Sequence, residues 1–235
     1  VIVAVGKQQG RVDRSLDHWD AKGIFSAAGF LKEAAMTQDV KESGKVVLVV
    51  GGGDVAVDCA RTARRLNAEK VYSVCLEDSY DTMASSNHEI KGALAEGVKF
   101  NHAQAIQRIH TDENGRVSGV TLKKCLSMFD ENGRFAPTYD EEDTRELKVD
   151  TIVFAIGQGV EAEFAGEILE QRPNSTFACD KDTLQSTKNE KIFVAGDASG
   201  ESVIAIQALA TGRRAAQSVI RFLRGEDLRS GRELN

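Results

Sequence analysis

Long hydrophobic runs are lacking from this chain of 235 residues. Its most apolar stretches, such as residues 1–5 (VIVAV) and 46–50 (VVLVV), are far shorter than the roughly 20 residues that a membrane-spanning helix needs. The sequence opens inside an apparent strand, without the charged and then apolar pattern of a secretory leader. We therefore expect neither a membrane span nor a signal peptide.

An excess of basic residues is also lacking. The chain carries 30 Lys and Arg against 36 Asp and Glu, which gives a formal charge of -6 at pH 7 and an isoelectric point near 5.4. Nucleic acids and anionic membranes attract basic surfaces. This composition therefore argues against either of them as the main partner.

Closely spaced cysteine pairs are absent as well. Cys59, Cys75, Cys125 and Cys179 are scattered, and no C-x-x-C pair occurs. This spacing supports neither a disulfide framework nor a local metal or cluster site. We expect reduced thiols, no metal ligands and a cytoplasmic location.

The most informative stretch is KVVLVVGGGDVAVDCA, residues 45–60. Residues 46–50 form an unbroken aliphatic run that is typical of a parallel strand buried on both faces. A G-x-G-x-x-A turn follows at residues 51–56, and a helix-favouring segment continues to residue 66. Strand, turn and helix in this order are the context that a dinucleotide fingerprint requires.

Each residue type in the turn suits the binding of a pyrophosphate. Gly51 permits a tight turn, Gly53 allows phosphate to approach the backbone, and Ala56 keeps the helix close to the strand. The helix N-terminus offers unpaired N–H groups and the positive end of its dipole. A glycine turn with a purely structural role is the alternative.

A second strand is predicted at residues 70–76, and it ends in Glu77 and Asp78. In dinucleotide-binding units, an acidic residue at this position accepts hydrogen bonds from the adenosine ribose. Its distance along the chain from the glycines exceeds the usual value of about 20 residues. The combination nevertheless favours nucleotide binding over a structural turn.

Further apolar strands are predicted at residues 1–6, 150–156 and 191–196, and a long helix at residues 202–223. The first two strands both end in A-x-G, which suggests chain crossings between two domains. A hairpin is predicted around an Asn-Gly turn at residues 112–115. The acidic run at residues 140–143 is interpreted as a solvated loop.

Several of these motifs together resemble the pyridine nucleotide-disulfide oxidoreductase superfamily, and most closely the small subunits of glutamate synthase and their relatives. The resemblance rests on GGGDVAVDCARTARRL, EGVKF, AIGQ and KIFVAGDASGESVIAIQALATGRRAA. It implies an α/β fold in which a Rossmann-like NAD(P)-binding domain, residues 44–150, is inserted into an FAD-binding three-layer domain. Residues 1–43 would be the crossing segment and linker of that FAD domain, and residues 151–235 its C-terminal part.

The resemblance also implies cofactor-binding residues. The nicotinamide dinucleotide pyrophosphate would lie on the glycine turn. Crossings near the nicotinamide and flavin would carry Gly6, Gly157 and Gln158. Flavin would be held by the Gly196-Asp197 pair and by the start of the following helix. The full set is Gly51, Gly52, Gly53, Asp54, Val55, Ala56, Glu77, Gly6, Gly157, Gln158, Gly196, Asp197, Ser202, Val203 and Ile204.

Two departures from the family pattern modify these expectations. Relatives that use NADPH tend to carry adjacent arginines where this chain has Leu76 and Glu77. An acidic side chain repels a 2′-phosphate, so we expect NADH to be preferred, although Arg64 and Arg65 on the preceding helix weaken this expectation. The glycine-rich FAD fingerprint and a cysteine-rich iron-sulfur region are also absent. We therefore expect the C-terminal part of a larger flavoprotein, with an incomplete FAD site.

The implied function is hydride transfer from NADH to FAD, followed by electron transfer to an iron-sulfur centre or partner subunit. The cofactors carry this chemistry, so no side chain, including the four histidines, is assigned a catalytic role. One alternative is a non-catalytic NAD(H)-binding or scaffold subunit that has lost flavin. A weaker alternative is a simple flavin-free dehydrogenase.

Overall fold

The structure is a computed structural model that describes residues 1–201 and 204–231. In chain order, the described strands are β1 (Ile2–Val3), β2 (Gln9–Gly10), β3 (Ile24–Ser26), β4 (Val46–Val50), β5 (Lys70–Val74), β6 (Lys99–Asn101), β7 (Gln104–Thr111), β8 (Val117–Phe129), β9 (Phe135–Leu147), β10 (Thr151–Phe154), β11 (Gln158–Gly159) and β12 (Phe193–Val194). The α-helices are α1 (Ala27–Thr37), α2 (Asp54–Arg65), α3 (Asn87–Ala95) and α4 (Ala205–Arg224).

The chain divides into two compact units. Gly10–Gly157 forms the central unit, and Val1–Gln9 together with the residues from Gln158 onward forms the outer unit. The expected domain boundaries at residues 43 and 151 fall inside the central unit. The reason is that β3 and β10 pair within the same sheet as β4, so both strands belong to it.

The central unit is built on a five-stranded parallel sheet with the order β3-β10-β4-β5-β6. The chain passes from β4 through α2 to β5 on one side, and it returns as β10 on the other side of β4. The carboxyl ends of β4 and β10 therefore flank a topological switch point, where open α/β sheets bind their ligands.

Strand β4 is buried on both faces, as the aliphatic run predicts. Val47 and Val49 belong to the core formed with α1 and α2, whereas Leu48 belongs to the core on the opposite face. That second core includes Ile109 and Leu122 of the antiparallel sheet β7-β8-β9. The unit thus has three layers: helices, parallel sheet and antiparallel sheet.

The acidic run at residues 140–143 is a strand, not a loop. It lies within β9, which pairs antiparallel with β8. Lysines on β8 offset its charge: Lys123 Nζ lies 2.7 Å from Glu141 Oε1, and Lys124 Nζ lies 3.6 Å from Asp143 Oδ2. Asp140 pairs with Lys124 and Thr144 pairs with Lys123, so residues 141–143 form a bulge within β9. The ladder on either side of the bulge and the two ion pairs stabilise this exposed strand, which has no apolar alternation.

In the outer unit, β1 pairs parallel with β12, and α4 packs over a core that includes Phe177, Leu184 and Phe193. The buried residues of α4 are Thr211, Ala215 and Ser218. Ile206 and Leu209, by contrast, are exposed. Among the described helices, none has the length and apolar character to cross a membrane.

Candidate functional site

The glycine turn lies at the carboxyl end of β4, and two of its glycines fill places where a side chain would collide. Gly51 has φ +141°, and a Cβ there would lie 2.5 Å from the Ala155 carbonyl oxygen. A Cβ on Gly52 would meet the carboxylate of Glu77. A Cβ on Gly53, in contrast, would have no neighbour within 4 Å. The turn is therefore packed at its first two glycines and open at the third.

Helix α2 starts directly after this turn, with Gly53 as its N-cap. Ala56 is fully buried and belongs to the core shared with β4, so a larger side chain there would push the helix away. The Ala56 N–H already donates to the Gly53 carbonyl at 2.9 Å, whereas the N–H groups of Asp54 and Val55 have no partner within the helix. The open space beside Gly53 and these donors together fit the pyrophosphate of a dinucleotide.

Asp54 makes contacts that the sequence did not indicate. Its carboxylate accepts hydrogen bonds from the Ser85 hydroxyl at 2.7 Å and from the Ser86 backbone N–H at 3.0 Å. The bond from Ser85 is the main reason that the pKa of Asp54 lies below its ordinary value. The Ser85 N–H also donates to the Gly52 carbonyl at 3.0 Å. Asp54 thus ties the loop after β5 to the glycine turn.

Glu77 follows β5 by three residues and is half-buried beside Gly52. Its carbonyl accepts a hydrogen bond from the Ala103 N–H at 2.7 Å, just beyond β6. An acidic side chain is therefore present at the tip of the second strand of the nucleotide unit and next to the glycine turn. This is where the ribose of an adenosine half is recognised in such units.

A cleft of about 670 Å³ opens at this edge of the sheet. Its walls come from the ends of β4, β5 and β10, from β7, from β8 and β9, and from the segment before β3. Its lining includes Gly51, Gly52, Leu76, Glu77, Lys123, Met128, Phe135, Pro137, Tyr139 and Ala155. Sequence reasoning found the glycines and Glu77 but missed the residues of β8 and β9.

Arg64 and Arg65 lie at the far end of α2, about 16 Å from the glycine turn at 1.5 Å per residue. Arg64 donates to the Glu96 carbonyl at 2.9 Å and to the Ala68 carbonyl at 2.5 Å. Arg65 pairs with the Glu96 carboxylate at 2.7 Å. Both arginines therefore hold α2 to its neighbours and lie away from the cleft.

The remaining predicted residues lie elsewhere. Gly157 ends the central unit. In the outer unit, Gly6 and Gly196 follow the parallel strands β1 and β12, so both glycines lie beyond the same edge of that sheet. Both have positive φ, +70° and +65°, and the Gly196 N–H donates to the Thr211 hydroxyl at 2.8 Å.

Three further positions complete the set in the outer unit. Gln158 forms β11 with Gly159. Asp197 is half-buried in a short 3-10 helix after β12, and Ile204 is the N-cap of α4. Ser202 and Val203 lie outside the described residues.

All four cysteines are buried and unpaired. Burial raises the pKa of the Cys59 and Cys75 thiols to about 12. Since the thiolate is the reactive form, these two side chains are poorly suited to act as nucleophiles near neutral pH.

Fold and cleft together define an α/β protein with a glycine turn of the dinucleotide-fingerprint type at the edge of its parallel sheet. The family model described as "Pyridine nucleotide-disulphide oxidoreductase" matches residues 1–217, so the chain belongs to this family. The predicted superfamily and fold class are thereby confirmed.

Curated relatives include subunits of a synthase and of a dehydrogenase that carry NADPH or NADP(+) in their names. The chain is 30% identical to the glutamate synthase [NADPH] small chain of Escherichia coli over 245 residues, which cover 95% of the chain and 50% of that protein. It is 32% identical to the NADP(+)-dependent formate dehydrogenase subunit beta of Moorella thermoacetica over 203 residues, which cover 86% of the chain and 28% of that protein. The chain thus spans at most about half the length of these relatives.

A solved structure, a His57Gln mutant of FprA from Mycobacterium tuberculosis, has a similar fold. Its TM-score is 0.76 at 19% identity, and the match covers 96% of this chain and 64% of that one. At this identity the likeness concerns the fold alone.

Proposed function

We propose that this chain is the nucleotide-binding part of a flavin oxidoreductase that transfers a hydride from NADH to FAD. The observation that carries the proposal is the position of the Glu77 carboxylate against Gly52, in a cleft that also includes Gly51. Ribose recognition and pyrophosphate binding need these two features side by side. Membership of the oxidoreductase family supplies the reaction class.

The preference for NADH over NADPH rests on charge. A 2′-phosphate at the ribose would face the Glu77 carboxylate, and two like charges at close range in a half-buried cleft repel. Leu76 supplies no compensating cation. Arg64 and Arg65 are paired at the other end of α2. The relatives named above carry NADPH or NADP(+) in their names, so this preference would distinguish the chain from them.

Within the cleft, the protein binds and orients the nucleotide. The first-turn N–H groups of α2 would hold the pyrophosphate, while Glu77 would accept hydrogen bonds from the ribose hydroxyls. Bound FAD would supply the hydride acceptor, and its protein contacts would come from the outer unit, at Gly6, Gly196, Asp197 and the start of α4. The protein would position the two cofactors relative to each other, since the cofactors themselves carry the chemistry.

The assignment of the central unit to NAD(P) and of the outer unit to FAD is part of the same proposal. Because the chain spans about half of its relatives, we propose that stable FAD binding requires further segments of chain. Onward electron transfer to an iron-sulfur centre or partner subunit is proposed because the relatives are themselves named as subunits.

The second candidate is a flavin-free subunit that binds NAD(H). One observation favours it: every residue lining the cleft belongs to the central unit, so the nucleotide could be bound without flavin. The two candidates differ in a direct test. The purified full-length protein, which includes the segments proposed to complete the FAD site, should show a flavin absorption spectrum that bleaches on anaerobic addition of NADH, and more slowly with NADPH. Nucleotide binding by that full-length protein without any flavin would reject the oxidoreductase and support the second candidate.

A further inference from the structure

The hairpin of β8 and β9 extends beyond the antiparallel sheet that it belongs to. Strand β7 pairs with β8 as far as Gln104 opposite Lys124. Beyond that point, residues 126–138, here called the arm, include only pairings of β8 with β9. At the base of the arm, the Cys125 N–H donates to the Ala103 carbonyl at 2.8 Å. The arm therefore starts at the carboxyl end of β6, beside the cleft.

Three apolar residues of the arm, Met128, Phe135 and Pro137, line the same cleft as Gly52 and Glu77. Phe135 is 64% exposed. An aromatic ring that faces a cleft and stays open to water gains free energy when a flat apolar ligand covers it.

Backbone hydrogen bonds connect the arm to the proposed ribose site. The Ala103 N–H donates to the Glu77 carbonyl at 2.7 Å, and the Ala103 carbonyl accepts from Cys125. If Glu77 holds the adenosine ribose and the glycine turn holds the pyrophosphate, the purine extends past Glu77 toward the end of β6. The base of the arm lies at this carboxyl end of β6.

The charges at the base of the arm are already paired. Lys123 Nζ lies 2.7 Å from Glu141 Oε1 and 4.2 Å from the centre of the Tyr139 ring. Because its charge is offset by Glu141, Lys123 would attract a phosphate only weakly. This wall of the cleft therefore suits an uncharged aromatic group better than an anion.

We propose that Phe135, together with Met128 and Pro137, forms the binding surface for the adenine ring of the dinucleotide. This inference rests on the proposed function and deepens it, because it assigns the adenine to a surface of the arm. When an aromatic side chain that stacks on a base is replaced by alanine, the affinity falls by about fivefold or more.

Calorimetric titration of the chain with two partial ligands tests the proposal. ADP-ribose contains the adenine, whereas reduced nicotinamide mononucleotide lacks it. Phe135→Ala should weaken ADP-ribose binding by about fivefold or more and leave the mononucleotide affinity unchanged, and Phe135→Trp should restore ADP-ribose binding. Leu126→Ala is the matched control and should change neither affinity, because Leu126 is an arm residue of similar exposure, at 60%, and lies outside the cleft lining.

The possible results separate this inference from the proposed function. An unchanged ADP-ribose affinity in Phe135→Ala, with weaker binding in Glu77→Ala, would overturn the adenine surface and leave the nucleotide site standing. Equal losses for both ligands, or an equal loss in Leu126→Ala, would also overturn it. If the unaltered chain bound neither ADP-ribose nor NADH, the proposed function and this inference would fail together.

Discussion

The Ser85 hydroxyl donates a 2.7 Å hydrogen bond to the Asp54 carboxylate, and this contact joins the loop after β5 to the first residue of α2. Through the same loop, the Ser85 N–H reaches the Gly52 carbonyl at 3.0 Å. The two segments that form the proposed nucleotide site are thus held together before any ligand binds. Preorganisation of this kind lowers the entropic cost of binding.

Asp54→Asn should lower the free energy of unfolding at pH 7 by about 1 kcal/mol, since Asp54 is exposed and its hydrogen bonds are partly screened. The pKa of Asp54 is lowered in the folded state, so its stabilising contribution is present above the unfolded value of about 3.9. That contribution is lost as the pH falls through the folded pKa. Urea unfolding at pH 7 and near pH 3 should therefore show a difference between the two proteins that shrinks at low pH. A pH-independent difference would contradict this account.

Gly51→Ala should mainly lower stability, whereas Gly53→Ala should mainly weaken NADH binding. The first variant forces a Cβ against the Ala155 carbonyl at φ +141° and should cost about 2 kcal/mol or more of stability. The second places its Cβ in open space at φ -93° and should cost about 1 kcal/mol or less, while weakening NADH binding because it narrows the approach to the helix N-terminus. Thermal unfolding and NADH titration of both variants check this. Equal effects on stability would show that the openness at Gly53 is not what distinguishes the two positions.

Arg64→Ala should destabilise the protein without changing the ratio of NADH to NADPH affinity. Arg64 hydrogen-bonds the carbonyls of Glu96 and Ala68, and loss of these bonds should cost about 1–2 kcal/mol. Arg65→Ala serves as the comparison and should cost less, because the Arg65 side chain that pairs with Glu96 is 63% exposed. Chemical denaturation and nucleotide titration are the measurements. A selective loss of NADPH affinity in either variant would mean that the 2′-phosphate reaches the C-terminal end of α2.

Local patterns in the sequence predicted the centre of the fold well. The aliphatic run of β4, the glycine turn and α2 follow from residues close together in the chain, where periodicity and glycine chemistry act directly. Strand β9 was missed because its exposed acidic residues show no apolar alternation and depend on β8 for pairing.

The candidate site was predicted only in part, for a related reason. Glu77 was found because its position after a strand has a known role. Phe135 and Ser85 were not predicted. Phe135 lines the cleft and Ser85 bonds to Asp54, and both contacts depend on how segments distant in sequence pack together. The two compact units differ from the expected domains because β10 pairs with β4 and β3 pairs with β10, and these pairings, which the sequence does not show, bring both strands into the central unit.

The most direct measurement is calorimetric titration of the chain with NADH and with NADPH, in the unaltered form and as Glu77→Arg. Asp81→Arg is the matched control, because Asp81 follows Glu77 closely in the sequence, is exposed and lies outside the cleft lining. We expect the unaltered chain and the control to bind NADH at least about tenfold more tightly than NADPH, and Glu77→Arg to reverse or abolish that preference. Tighter binding of NADPH by the unaltered chain would contradict the role assigned to Glu77.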